Sequence, residues 1–255
     1  MDRAIAALGG IERFVKAGND VIIKPNICVA YHTYVYAATT NPWVVGALVK
    51  LCMGAGARRV RVMDFPFGGT AQQAYVRSGI QEQVIAAGGV MEDMVLRKFR
   101  DADIPAGQSI KKWSIYEDVL NADVLINVHI AKTHSLATLT LGMKNVMGLI
   151  TQRESIHQMM DQRLADLNSR IRPTLTVIDA VRALMDNGPT GGNLDDVKKM
   201  DTVIASADVV AADAYATSLF GMKPSDISYI VAGAKRGLGI SDLSSVKVEQ
   251  ISVGN

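Results

Sequence analysis

Short β-branched runs alternate with amphipathic stretches along the whole chain, and this feature most narrows what the sequence can fold into. The runs are Val21–Lys24, Arg59–Met63, Val124–Val128, Thr174–Asp179, Thr202–Ala205 and Val246–Val253, with a weaker one at Val90–Leu96. Between them lie helical patterns at Ile5–Val15, Pro42–Met53, Thr70–Ala87, Ser155–Ile171, Val209–Phe220 and Ser225–Lys235. Several end near a glycine, the residue that stops a helix in the left-handed conformation. Asn41-Pro42 supplies a cap followed by proline in the first turn. The alternation predicts βαβ units, hence an α/β fold whose largely parallel sheet is flanked by helices. No repeat or low-complexity linker divides the chain, so the expectation is one domain over 1–255 with an elaborated middle at about 129–172.

Composition removes several function classes. The 27 Lys and Arg nearly balance the 25 Asp and Glu, a net charge of +2, and no basic runs or aromatic platforms occur. Nucleic acid is therefore not an expected partner, because such binders draw their affinity from phosphate contacts. Cys28 and Cys52 are the only cysteines. No iron–sulfur cluster is expected from this chain alone, since a cluster takes about four thiolates. No apolar run reaches the roughly 18 residues of a membrane span. The chain opens on Met1-Asp2-Arg3-Ala4 without a basic-then-apolar leader, and the expected location is cytoplasmic.

Open parallel sheets bind ligands at the carboxyl ends of their strands, and each strand exit here carries polar residues. The first exit is Lys24-Pro25-Asn26, whose ammonium either meets an anion or covers the sheet end. The second carries Asp64, a candidate metal ligand, base or partner for Lys24, and then Gly68-Gly69-Thr70 before a helix, either an anion cradle or a capped turn. The third runs from Val124 to Gly148 and contains His129, Lys132, Thr133, His134, Thr140, Lys144 and Asn145. Read as a helix after the strand, it brings His134, Thr138 and Asn145 within about 40° of each other with Lys144 on the flank. Its apolar neighbours demand burial, and buried ammonium groups need partners.

On the helix Ser155–Ile171, His157 and Asp161 stand at i,i+4, an ion pair or two ligands of a divalent metal. Asp179 closes the fourth strand, and Gly188 and Gly191 sit in a loop able to present backbone N–H groups to an anion. Asp213 interrupts an apolar helix, so it either pairs with a lysine of the site or is exposed. No Gly-x-Ser-x-Gly elbow or His-Glu-x-x-His motif specifies hydrolysis.

Taken in order, Lys24-Pro25-Asn26, Lys132-Thr133-His134, Thr140-Leu141-x-x-Lys144-Asn145-x-x-Gly148, His157, Asp179 and Gly188-Pro189-Thr190-Gly191 resemble the prokaryotic family "domain of unknown function 362" over nearly the whole chain. The resemblance implies relatives fused to a ferredoxin-like iron–sulfur module, and some that are exported. Ile130 stands where the family commonly has the first lysine of Lys-x-Lys-Thr-His.

Three readings follow. In the first, the chain acts on a phosphate- or carboxylate-bearing small molecule: Lys24, Lys132 and Lys144 clamp it, with Asn26, Thr133, Thr140, Asn145, Gly188 and Gly191 around it. His134 then serves as acid or base, and Asp64 or Asp179 orients it or binds a divalent metal. The second, implied by the resemblance, is a redox-associated protein working beside an iron–sulfur partner. The third is a ligand-free structural protein in which the lysines only pair with Asp64, Asp179 and Asp213.

Overall fold

The structure, a computed structural model, describes residues 1–254. In chain order the elements are α1 (Asp2–Ala7), β1 (Asp20–Lys24), α2 (Pro42–Gly54), β2 (Arg59–Val62), α3 (Ala71–Arg77), α4 (Ile80–Ala86), β3 (Val90–Met91), β4 (Phe99–Asp103), β5 (Lys112–Tyr116), α5 (Glu117–Asn121) and β6 (Val124–His134). Then follow β7 (Thr138–Thr140), α6 (Gly142–Asn145), α7 (Arg153–Ile156), α8 (Met160–Arg170), β8 (Leu175–Leu184), β9 (Val197–Ser206), α9 (Val209–Thr217) and α10 (Ser228–Lys235).

The main sheet has the order β3-β2-β1-β6-β8-β9, with β7 pairing off β6. It is parallel from β3 to β8; β9 and β7 are antiparallel additions. The largely parallel sheet flanked by helices is thus as expected. Strands β4 and β5 form a separate antiparallel pair that the periodicity did not announce.

Successive strand residues face opposite sides of a sheet, and this alternation sorts the core. Val21, Ile23, Ile126, Val128 and Val177 pack with α2 and α4. Ile22, Leu125 and Ile178 pack with α6, α8, α9 and α10 on the other face. Lys24 and Asn127 share the parity of Ile22 and Leu125, so both point to the α6 side. Asp179 shares the parity of Val177 and points to the α2 side.

Several expected elements differ. Residues 246–253 form no strand; the stretch is exposed and pairs with no strand of the described residues. The helix expected at Ile5–Val15 stops at Ala7, where Gly9 and Gly10 turn with φ of 96° and 84°. The helix expected at Thr70–Ala87 breaks into α3 and α4 at Gly79, whose φ is 78°. The stretch after His134 is not a helix: β6 runs on to His134 and folds back as β7, pairing His134 with Thr138 and Lys132 with Thr140. Helix begins there only at Gly142, as α6, and continues as a 3-10 turn over Val146–Leu149.

Candidate active site

One cavity of about 290 Å³ opens where the carboxyl ends of β1 and β6 meet α6 and α7. Lys24, the last residue of β1, is 1% exposed and forms an ion pair of 2.8 Å with Asp64, just beyond β2. It also donates to Asn145 Oδ1 at 2.7 Å. Asn145 in turn donates to Asn127 Oδ1 at 2.7 Å, tying α6 to β1 and β6. Asp64 Oδ2 accepts the Ile27 N–H at 2.6 Å, so its carboxylate is committed to the loop after β1. Burial holds the Lys24 ammonium below its ordinary pKa, against the opposing pull of Asp64.

Lys132 is fully buried on the extension of β6 and meets no carboxylate. Its Nζ donates to Asn26 Oδ1 (2.8 Å), the Ala38 carbonyl (2.8 Å), the Pro189 carbonyl (3.0 Å) and Cys28 Sγ (2.9 Å). None of these acceptors is a carboxylate. Lys144, on α6, is 7% exposed and touches only His134, Nζ to Nε2 at 3.1 Å. Burial is the main cause that lowers the Lys144 pKa to about 8, with Lys132 and Arg153 adding repulsion. His134 is pushed down to about 3, first by burial and then by Lys144. The same two causes lower His157.

Cys28, Arg153, Glu154 and His157 complete the chemistry of the wall, with Phe65, Phe67 and Met147 as its apolar part. The cations are Lys24, Lys132, Lys144 and Arg153; the carboxylates are Asp64, already paired, and the exposed Glu154. Three buried polar atoms on this wall have no hydrogen-bond partner within the protein: Thr140 Oγ1, Arg153 Nη2 and His157 Nε2. Such groups cost roughly 1–3 kcal/mol each when left unpaired, and all three belong to residues that line the cavity.

The structure therefore brings together Lys24, Asn26, Asp64, Lys132, His134, Thr140, Lys144, Asn145 and His157. Asp179 does not reach the cavity. Its strand parity sends it to the α2 side, where it accepts the N–H groups of Asn41 (2.6 Å) and Val181 (3.0 Å). Asp161 faces a separate depression beside Gln108 and Arg236. The turn His157–Met159 breaks the helical repeat between it and His157. Among the described residues no group of three or more His, Cys, Asp and Glu side chains is placed to hold a metal ion.

Thr133 and Gly188 bind each other rather than the cavity: Thr133 Oγ1 accepts the Gly188 N–H at 3.2 Å. A Cβ on Gly188 would lie 2.0 Å from the Thr133 carbonyl oxygen. Gly191 turns with a φ of 60° against Leu184. This loop contributes only the Pro189 carbonyl to Lys132. Asp213 is neither exposed nor paired with lysine: it accepts the N–H groups of Gly142 (2.7 Å) and Met143 (2.8 Å) and so anchors the start of α6. Thr70 closes the start of α3 through a reciprocal capping box with Gln73.

Arg153, Cys28 and Glu154 were missed by sequence reasoning. Arg153 lies in a polar stretch where an arginine carries no periodic signal, and Cys28 lies in an irregular loop. Cys52 sits on α2 in the core, where burial raises its thiol to about 12. The two thiols do not share a site.

Fold and site together define an α/β protein with a cation-lined cavity at the carboxyl ends of its parallel strands. The chain belongs to the family described as "Domain of unknown function (DUF362)", whose sequence model matches residues 21–218. A similar curated protein is the thylakoid-associated protein sll1697 of Synechocystis sp. (strain ATCC 27184 / PCC 6803 / Kazusa), 27% identical over 241 residues, covering 91% of this chain and 72% of that protein. Among solved structures, the lactate racemase apoprotein from Thermoanaerobacterium thermosaccharolyticum shares the fold with a TM-score of 0.55 at 11% identity. The alignment covers 85% of this chain and 53% of that one, so the chain matches about half of the racemase's length. No helix among the described residues is long and apolar enough to cross a membrane.

Proposed function

We propose that the chain is an enzyme acting on a small carboxylate- or phosphate-bearing molecule held in this cavity. The observation that carries the reading is the convergence of cations without carboxylate partners and of unpaired donors on one wall. Lys132 supplies charge without a carboxylate beside it, and Arg153 Nη2 and Thr140 Oγ1 have hydrogens to give. An anion would satisfy both and offset the repulsion among the ammonium groups. His157 Nε2 and the His134–Lys144 couple face the same space and would move protons. A purely structural site would pair each ammonium with a carboxylate, as happens among the cavity lysines at Lys24 and not at Lys132 or Lys144.

Thermal unfolding with inorganic phosphate, sulfate or acetate tests this. A ligand at 100 times its dissociation constant stabilises by about 2.7 kcal/mol, so a rise in Tm saturating with concentration is expected for at least one of the three. Arg153→Met should keep the fold and lose that rise, because the guanidinium has an unpaired nitrogen to give up. No response to any anion, or an undiminished response in Arg153→Met, would overturn the reading.

A further inference from the structure

His134 Nδ1 accepts the backbone N–H of Leu136 at 3.0 Å and that of Ala137 at 3.3 Å. A nitrogen that accepts carries a lone pair, so the ring is not the doubly protonated imidazolium. The single proton of a neutral imidazole then sits on Nε2. That N–H points at Lys144 Nζ, 3.1 Å away. An ammonium has three hydrogens and no lone pair, whereas an amine can accept. The contact suits the unprotonated form of Lys144.

We propose that Lys144 reacts as its neutral amine, held ready by the His134 contact, and attacks the carbonyl carbon of a small anionic oxo compound, a 2-oxo acid. The substrate class rests on the anion site proposed above; the amine does not. Burial lowers its pKa to about 8, Lys132 on β6 and Arg153 across the cavity add repulsion, and Cys28 from the loop after β1 pulls the other way. The neighbouring imidazoles of His129 and His157 are themselves pushed down, and no carboxylate is in contact. Desolvated lysines beside other cations are activated in this way.

The step balances without an added oxidant or reductant. The Nζ lone pair forms a bond to the carbonyl carbon while the C=O π pair moves to oxygen, which takes a proton. The amine loses its two protons as the oxygen leaves as water, and a C=N bond remains. His157, with its free Nε2, is placed to shuttle these protons.

The test is to incubate the whole chain at pH 7 with pyruvate and sodium cyanoborohydride, then locate the reduced adduct by peptide mass mapping. Hydride from the borohydride reduces the imine to a stable secondary amine. Lys144 should be labelled on the order of tenfold faster than an average surface lysine, its much larger unprotonated fraction outweighing the weaker nucleophilicity of a less basic amine. Sulfate should slow the labelling by pyruvate but not by acetaldehyde, which lacks the anionic group. His134→Leu, which has no N–H to present to Nζ, should slow labelling by both. Absence of a Lys144 adduct with either carbonyl overturns the proposal even if phosphate raises the Tm. Equal labelling by both carbonyls with no effect of sulfate would keep the amine and overturn the oxo-acid assignment.

Discussion

Lys24 and Asp64 form a 2.8 Å ion pair with side chains 1% and 3% exposed, and Gly148 lies directly over it. A Cβ on Gly148 would stand 2.1 Å from Asp64 Oδ1 and 2.5 Å from Lys24 Nζ. The glycine is therefore a packing requirement of the pair. Gly148→Ala should cost about 3 kcal/mol in urea unfolding through overpacking. Gly54→Ala, at a helical position with no atom within 4 Å of the new Cβ, should change stability by less than about 1 kcal/mol. Similar costs at the two sites would refute this account of Gly148.

Breaking the pair should be worse than removing it. Lys24→Met alone leaves a buried carboxylate and should cost about 3–5 kcal/mol. The double variant Lys24→Met, Asp64→Leu should recover a substantial part of that loss. Additive losses in the double variant would show that the two side chains do not act as a pair.

Asp179 should behave as scaffold. It holds the N–H of Asn41 at the start of α2 and lies outside the cavity wall. Asp179→Asn should lower stability by about 1–3 kcal/mol and leave anion affinity within about twofold, the scale that separates a remote residue from a contact. Burial raises its carboxyl to about 6, above the usual 3.8. Between these values the folded state holds a proton that the unfolded chain has lost, so Asp179 makes stability fall as pH rises through this window. The wild-type-minus-variant difference should show that slope; loss of anion binding in Asp179→Asn would return the residue to the site.

Lys144 should act in the opposite sense. Its folded pKa, about 8, lies below the ordinary 10.5. Between them the unfolded chain binds a proton that the folded one does not, so this group makes stability rise with pH by up to about 1.4 kcal/mol per unit. Lys144→Met should lack that rise. Sulfate, which favours the ammonium, should bind the wild type more weakly as pH increases through 8, and Lys144→Met should show a flat profile there.

The strands were readable because β-branched runs announce buried parallel strands, and Lys24, Asp64, Lys132, His134 and Lys144 were recognisable as polar residues at the exits of such runs. The path after His134 was not. Thr138 and Thr140 suit either a strand or a buried helix in so short a stretch, and antiparallel pairing with β6 decided the matter. Asp179 was misplaced because it does not close its strand: β8 runs on to Leu184, and the parity with Val177 turns Asp179 to the α2 side. Arg153 lay beyond reach because its importance comes from α7 folding over the cavity, a tertiary event with no local pattern.

A crystal structure grown with selenate tests the central claim most directly, since anomalous scattering locates the anion without assumptions. The expected result is a selenate within hydrogen-bond distance of Arg153 and Thr140, in the cavity beside Lys132. Selenate bound only on the outer surface, with the cavity wall paired to itself, would contradict the account.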